Sequence, residues 1–160
     1  MKRNDSANGL LELKIPPVVL GLVLVLLMWF GSRAVPSLRF DFAGRIQVVA
    51  GLVLLGAFIS LAGVVSFRRA KTTVNPTTPA AASALVVSGI YRFTRNPMDL
   101  GFLLSLLAWA VFLANALALA VIPVFVVYMN QFQIRPEERA LATLFGPEFT
   151  AYKSRVRRWI

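Results

Sequence analysis

The chain has 160 residues, a single domain's length, and 58% are hydrophobic, with a mean hydropathy of +0.70. Only 15% are charged, against about 25% in ordinary soluble domains, which excludes a disordered chain and argues for an integral membrane protein. Cysteine and histidine are both absent, which removes disulfides, thiol nucleophiles, Ser-His-Asp triads and most zinc chemistry, and the net charge of +10 points to an anionic bilayer face rather than nucleic acid.

About 20 apolar residues in a helix cross a hydrocarbon core about 30 Å thick. The first such run predicts a helix over about 15–35. It is long for the apolar part of a secretory signal, and no small-residue cleavage site follows it. The second predicts a helix over about 46–67, with Arg45 before it and Arg68-Arg69 after it. Gly56, Ser60 and Gly63 recur there at helical spacing. They suit either the close approach of another helix or a lateral substrate route.

The third run, Leu100 to Phe132, is too long for one upright span and short for two. Asn115 near its middle and Pro123 further on favour a tight hairpin turning near Ala114–Ala116. Its helices would cover about 99–114 and 116–134. A single long helix kinked at Pro123 is the alternative. With four spans, the N-terminus, the loop and the tail share one side and hold 14 of the 17 Lys and Arg. The positive-inside rule makes that side cytoplasmic. One long helix would put the basic tail outside, a poorer fit.

Two cytoplasmic segments remain, 71–99 and 135–160. In the first, Asn75-Pro76 and Thr78-Pro79 read as extended or turn dipeptides, and Ser88-Gly89 as a tight turn. Pro97 suits the first turn of the next helix. In the tail, Pro136 can open a short helix, whose positive end suits Glu137 and Glu138. Gly146-Pro147 stops it. A second short helix would put Phe149, Tyr152, Val156 and Trp159 on one face and basic residues on the rest, the pattern of a helix in the membrane interface. By position alone, Glu137-Glu138 reads as a helix-dipole complement, and Tyr91 as an interfacial anchor. There is no glycine-rich nucleotide loop, and seven scattered carboxylates make a metal site improbable.

Taken together, these two segments resemble a known family. One half of the match is Thr73-Val74-Asn75-Pro76, Leu85-Val86, Ser88-Gly89-Ile90-Tyr91-Arg92, Arg95-Asn96-Pro97-Met98 and Gly101. The other is Glu137-Glu138, Leu141, Phe145-Gly146, Phe149, Tyr152 and Val156-Arg157-Arg158-Trp159. The pattern, over about 71–160, is similar to the isoprenylcysteine carboxyl methyltransferase and phospholipid methyltransferase superfamily of membrane methyltransferases. The chain departs from it twice. Asn96 stands where the family often has His, a familiar bacterial variant. Asp99 replaces the usual Tyr.

The apolar runs and the charge distribution, with the resemblance, predict an all-α integral membrane domain over 1–160, with four transmembrane helices, the last two a tight hairpin, in a bacterial inner membrane with both termini cytoplasmic. The resemblance implies the cofactor S-adenosyl-L-methionine, bound without a Rossmann domain and released as S-adenosyl-L-homocysteine. The expected cofactor residues are Val86, Val87, Gly89, Tyr91, Arg95, Asn96, Pro97, Leu100, Glu137, Glu138, Leu141 and Phe145. The acceptor would be a lipophilic carboxylate, amine or thiol arriving from the bilayer. Arg92 or Arg155 would orient a carboxylate, and Asp99 would take a proton from an amine. Two other readings stand: a non-catalytic protein that keeps the fold, and an NADPH-dependent reductase of the sterol-reductase type.

Overall fold

The computed structural model describes residues 12–70 and 83–160; the turn dipeptides Asn75-Pro76 and Thr78-Pro79, and the Thr73–Pro76 part of the family pattern, lie outside them. Among the described residues there is no strand. The helices are α1 (Pro17–Ala34), α2 (Arg45–Arg69), α3 (Pro97–Leu113), α4 (Ala116–Tyr128) and α5 (Arg135–Arg155). A 3-10 turn, Gly89–Arg92, precedes α3, and a π-helical turn, Met129–Ile134, joins α4 to α5. Three runs are long and apolar enough to cross a membrane: α1, α2 and the run that starts at Ala116; α3 is apolar and shorter. The charged residues of the third run begin at Arg135, so α5 lies beyond its apolar stretch. The chain is an integral membrane protein.

Proline opens these helices. Pro17, Pro97 and Pro136 stand in first turns, where a missing N–H costs nothing. Pro136 has a further effect, because it offers no N–H to the Phe132 carbonyl four residues back. That carbonyl accepts from Leu13 N–H at 3.0 Å. Glu12 pairs with Arg139 at 2.6 Å, so residues 12–13 are fastened beside 132–139.

Asn115 explains the polar residue inside the apolar run. Ala114 takes a left-handed conformation, φ 48, which ends α3. Asn115 then caps α4, its side chain accepting from Leu117 N–H at 2.9 Å. Its amide also donates to the Val35 carbonyl, and Phe40 N–H donates to Ala114. The turn after α3 is thus sewn to the chain between α1 and α2, at the end opposite Leu13 and Arg139. No buried group of Asn115 is left unpaired.

Leu24, Met28, Leu106, Ala110, Ala118, Phe125, Met129 and Ile134 form the core, shared by α1, α3, α4 and the π turn. α2 packs instead along α3. Its outer face is apolar and open, with Leu54 71%, Phe58 67% and Leu61 64% exposed, as a lipid-facing surface requires. The expected small residues make the inner face. A Cβ on Gly56 would lie 2.9 Å from the Gly101 carbonyl oxygen, and one on Gly63 would lie 3.1 Å from Pro97 Cγ. Ser60 packs on Gly101. Of the two readings of Gly56, Ser60 and Gly63, the structure shows helix packing, and α3 closes that seam.

This contact fixes where α3 begins, and so where Arg95–Asp99 stand. A Cβ on Gly101 would collide with the Ser60 hydroxyl and lie 2.6 Å from the Gly56 carbonyl oxygen. We expect Gly101→Val to destabilise the detergent-solubilised protein by about 1–3 kcal/mol, the range for overpacking. Scanning fluorimetry checks this. Gly21→Ala, at a site with no atom within 4 Å, should leave the unfolding temperature unchanged or raised.

Candidate active site

The segment before α3 is shaped by Gly89. Its φ of 62 favours glycine, and a Cβ there would stand 2.8 Å from the Ser66 hydroxyl oxygen. The 3-10 turn therefore lies directly on the end of α2, where Phe67 meets Tyr91 edge-on with ring centroids 5.3 Å apart. Tyr91 is buried, and its carbonyl accepts from Tyr152 Oη at 2.7 Å. Burial, with the Glu137, Tyr152 and Asp99 charges nearby, pushes the Tyr91 phenol well above its ordinary range. Burial pushes Tyr152 up to about 12, with Arg95 opposing.

Glu138 is the centre of an ion network. Arg158 grips it with both prongs, Nε to Oε1 at 3.1 Å and Nη2 to Oε2 at 2.7 Å. Arg95 Nη2 lies 3.0 Å from Oε1, and Lys153 Nζ 3.6 Å from Oε2. Burial raises the Glu138 carboxyl, but the Arg158 hydrogen bonds and the Arg95, Arg158 and Lys153 charges bring it below its ordinary value. Three cations thus surround one carboxylate. Arg95 is the least satisfied. Its side chain is only 10% exposed, and its Nε and Nη1 are buried without a partner. Burial lowers its pKa, against the pull of Glu138.

Glu137 points elsewhere. It is half-buried and coupled to Asp99 in the first turn of α3. Among the described residues neither carboxyl has an ion-pair partner. Burial, then Asp99, then Glu138 push Glu137 up to about 8. An acidic pole at Glu137 and Asp99 therefore stands near Tyr91, and a cationic pole around Arg95 stands near Tyr152.

Other expected residues fall at varying distances from this centre. Val86, Pro97 and Leu100 are buried. Leu141 and Phe145 are half-buried on α5, and Val87 is exposed. Asn96 has a structural bond, its amide donating to the Arg158 carbonyl at 2.9 Å. Arg92 and Arg155 are exposed, and Arg155 Nε donates to Ala151 in its own helix. No group of acidic residues able to hold a metal occurs among the described residues.

Gly146, whose φ 46 and ψ −119 are non-helical, breaks α5 into two helical pieces, as the Gly146-Pro147 pair predicted; it is the setting of the second piece that departs from expectation. Phe149 and Tyr152, expected to lie in the membrane interface, are buried in the protein at 3% and 4% exposure. Val156 has already left the helix. The reason is Tyr152 Oη, which finds a better partner in Tyr91 than in a headgroup layer. Sequence reasoning missed Arg158, Asn130 and Trp159, although Arg158 and Trp159 stood within the closing Val156–Trp159 pattern.

A helical membrane protein with a two-signed cluster of charged side chains at one end is the class these features define. The sequence pattern of one family, phospholipid methyltransferase, matches residues 45–148, and the chain belongs to that family. The match takes in α2, which lies outside the 71–160 stretch that carried the resemblance. An uncharacterised protein of Haemophilus influenzae is 48% identical over 63 residues, 39% of this chain and all of that one. Methanethiol S-methyltransferase 1 of Bradyrhizobium diazoefficiens is 30% identical over 123 residues, 77% of this chain and 40% of that protein's length. No solved structure matches the chain.

The state of Glu137 sets a pH dependence. It is a carboxyl of ordinary pKa 4.5 raised to about 8 on folding. Between those values the folded protein holds a proton that the unfolded chain releases, so stability falls as pH rises. We expect the unfolding temperature to decline from pH 5 to pH 8. Glu137→Gln, measured by fluorimetry across that range, should flatten the decline.

Proposed function

We propose that the protein is a methyltransferase that binds S-adenosylmethionine at this charged cluster and methylates a lipophilic acceptor drawn from the bilayer. The divided charge of the cluster formed by Arg95, Glu137 and Asp99 carries the reading. Arg95 holds two buried nitrogens without partners, and a buried unsatisfied donor costs about 1–3 kcal/mol. A ligand carboxylate would satisfy one of them with a charge-assisted bond. Glu137 and Asp99, with no described cation, suit an ammonium and a sulfonium. The amino-acid end of S-adenosylmethionine carries those three charges. Leu100, Leu141 and Phe145 offer apolar surface for its adenine.

The cofactor supplies a methyl group already activated on sulfonium sulfur. The protein's part is then alignment and exclusion of water. Arg95 and Glu137 would fix the amino-acid end. Asp99 would take the proton that an amine or thiol acceptor must lose, while a carboxylate acceptor needs no base. The similarity to a methanethiol S-methyltransferase keeps a thiol among these acceptors.

The same proposal includes four crossings with both termini cytoplasmic. Leu13 is bonded to Phe132, and Glu12 to Arg139, at one end. Val35, Phe40, Ala114 and Asn115 are joined at the other. An even number of crossings satisfies both ends, with a hairpin at Ala114–Asn115. The basic loop and tail then face the anionic leaflet.

Calorimetry on the detergent-purified protein tests the function. We expect micromolar binding of S-adenosylhomocysteine. Arg95→Gln and Glu137→Gln should each weaken it about tenfold or more, the size of a lost charged hydrogen bond. A folded wild type that does not bind overturns the methyltransferase reading in favour of a non-catalytic protein.

A further inference from the structure

The last residues of the chain are built into the charged cluster around Glu138. At Val156 the backbone leaves the helix and turns extended, φ −120 and ψ 131. It then runs beside the segment that opens α3. Arg95 N–H donates to the Arg157 carbonyl at 3.1 Å, and the Asn96 amide and Thr94 hydroxyl both donate to the Arg158 carbonyl. On the other side it is held by the π turn. Asn130 Oδ1 accepts from Arg158 Nη1 at 3.1 Å and from Trp159 Nε1 at 3.3 Å. The segment lies beyond the residues matched to the family, which end at 148.

The consequence concerns Arg95. A carboxylate offers about four lone-pair positions on its two oxygens. Arg158 occupies both oxygens of Glu138 and Lys153 adds a contact, so Arg95 reaches it through Nη2 alone. Without Arg158, Glu138 would be free to take Arg95 as a fork, the preferred geometry of such a pair. The remaining Arg95 nitrogens would then turn to Glu138. Arg158 is therefore not simply a structural ion pair. By saturating Glu138 it leaves Arg95 Nε and Nη1 unsatisfied.

We propose that the C-terminal segment Val156–Trp159 is a latch, and that Arg158, seated by Asn130, is a positioning residue that holds Arg95 ready for the carboxylate of the methyl donor. This rests on the methyl-donor reading given above. Arg158 does not itself touch the ligand.

Two ligands separate this role from general support of the fold. S-adenosylhomocysteine carries the amino-acid carboxylate, and 5′-methylthioadenosine keeps the adenosine and thioether but lacks it. Arg158→Gln should weaken the first about tenfold, as expected for a misplaced charged partner, and leave the second within about twofold. Asn130→Ala, which frees Arg158 without removing it, should move the ratio in the same direction by less. Arg95→Gln should abolish the same selectivity, and adding Arg158→Gln to it should change little more, because both act through one guanidinium. Unfolding temperatures identify a variant that has failed to fold, in which case Asn130→Ala decides. Equal weakening of both ligands, or no change in either, overturns the latch while the methyl-donor reading stands. A folded wild type that binds neither ligand overturns that reading and the latch with it.

Discussion

The site depends on the single carboxylate of Glu138. It joins three pieces of chain: the approach to α3 through Arg95, the body of α5 through Lys153, and the C-terminal segment through Arg158. A buried carboxylate is costly unless paired and hydrogen-bonded. Here it is paired to excess, and the excess is positive. The backbone supports the arrangement, since Arg157 and Arg158 carbonyls accept from the same stretch of chain that carries Arg95. Removing the carboxylate would leave three cations facing one another, two of them largely buried.

Such a cluster needs a rigid frame, and the membrane helices supply it. α2 and α3 approach closely because Gly56, Gly63 and Gly101 present no side chains to the contact. That places Pro97 against Gly63 and sets the direction in which the chain leaves α3 towards Arg95. Gly89 repeats the device at the end of α2, where Ser66 occupies the space of a Cβ. In lipid there is little hydrophobic force between helices, so close backbone packing of this kind carries much of the specificity. The polar end is held to within hydrogen-bond tolerance because the apolar end cannot slide.

What the sequence made legible follows from how local each signal is. Apolar runs of membrane length, Pro97 and Pro136 at helix starts, and the break at Asn115 are short-range features, and each has its place in the structure. The nearness of Arg95 to Glu138 was suggested only by the family pattern, because 43 residues of chain separate them. The tail misled for a physical reason. Phe149, Tyr152, Val156 and Trp159 have the spacing of an interfacial helix, and periodicity does not say whether lipid or protein covers an apolar face. Arg158 was unreadable as a site residue because it closes a run with three other basic residues, Lys153, Arg155 and Arg157. Only its carboxylate and Asn130, both remote in the chain, distinguish it.

The two adjacent glutamates show how much one helical step can separate. Successive residues on a helix point about 100° apart, so Glu137 and Glu138 meet different partners. Glu138 turns towards the arginines and is held as a charged carboxylate below its ordinary pKa. Glu137 turns towards Asp99 and is raised well above it. One doublet thus supplies a fixed counter-ion for the frame and a carboxyl whose charge a bound cation would draw out. A zwitterionic ligand needs both signs presented within the span of one amino acid. A helix that starts at the membrane surface, with a glutamate doublet in its first turn and arginines converging from two other segments, provides that separation. Replacing the doublet by a single acidic residue would leave the arginines, or the cation of the proposed ligand, without a partner.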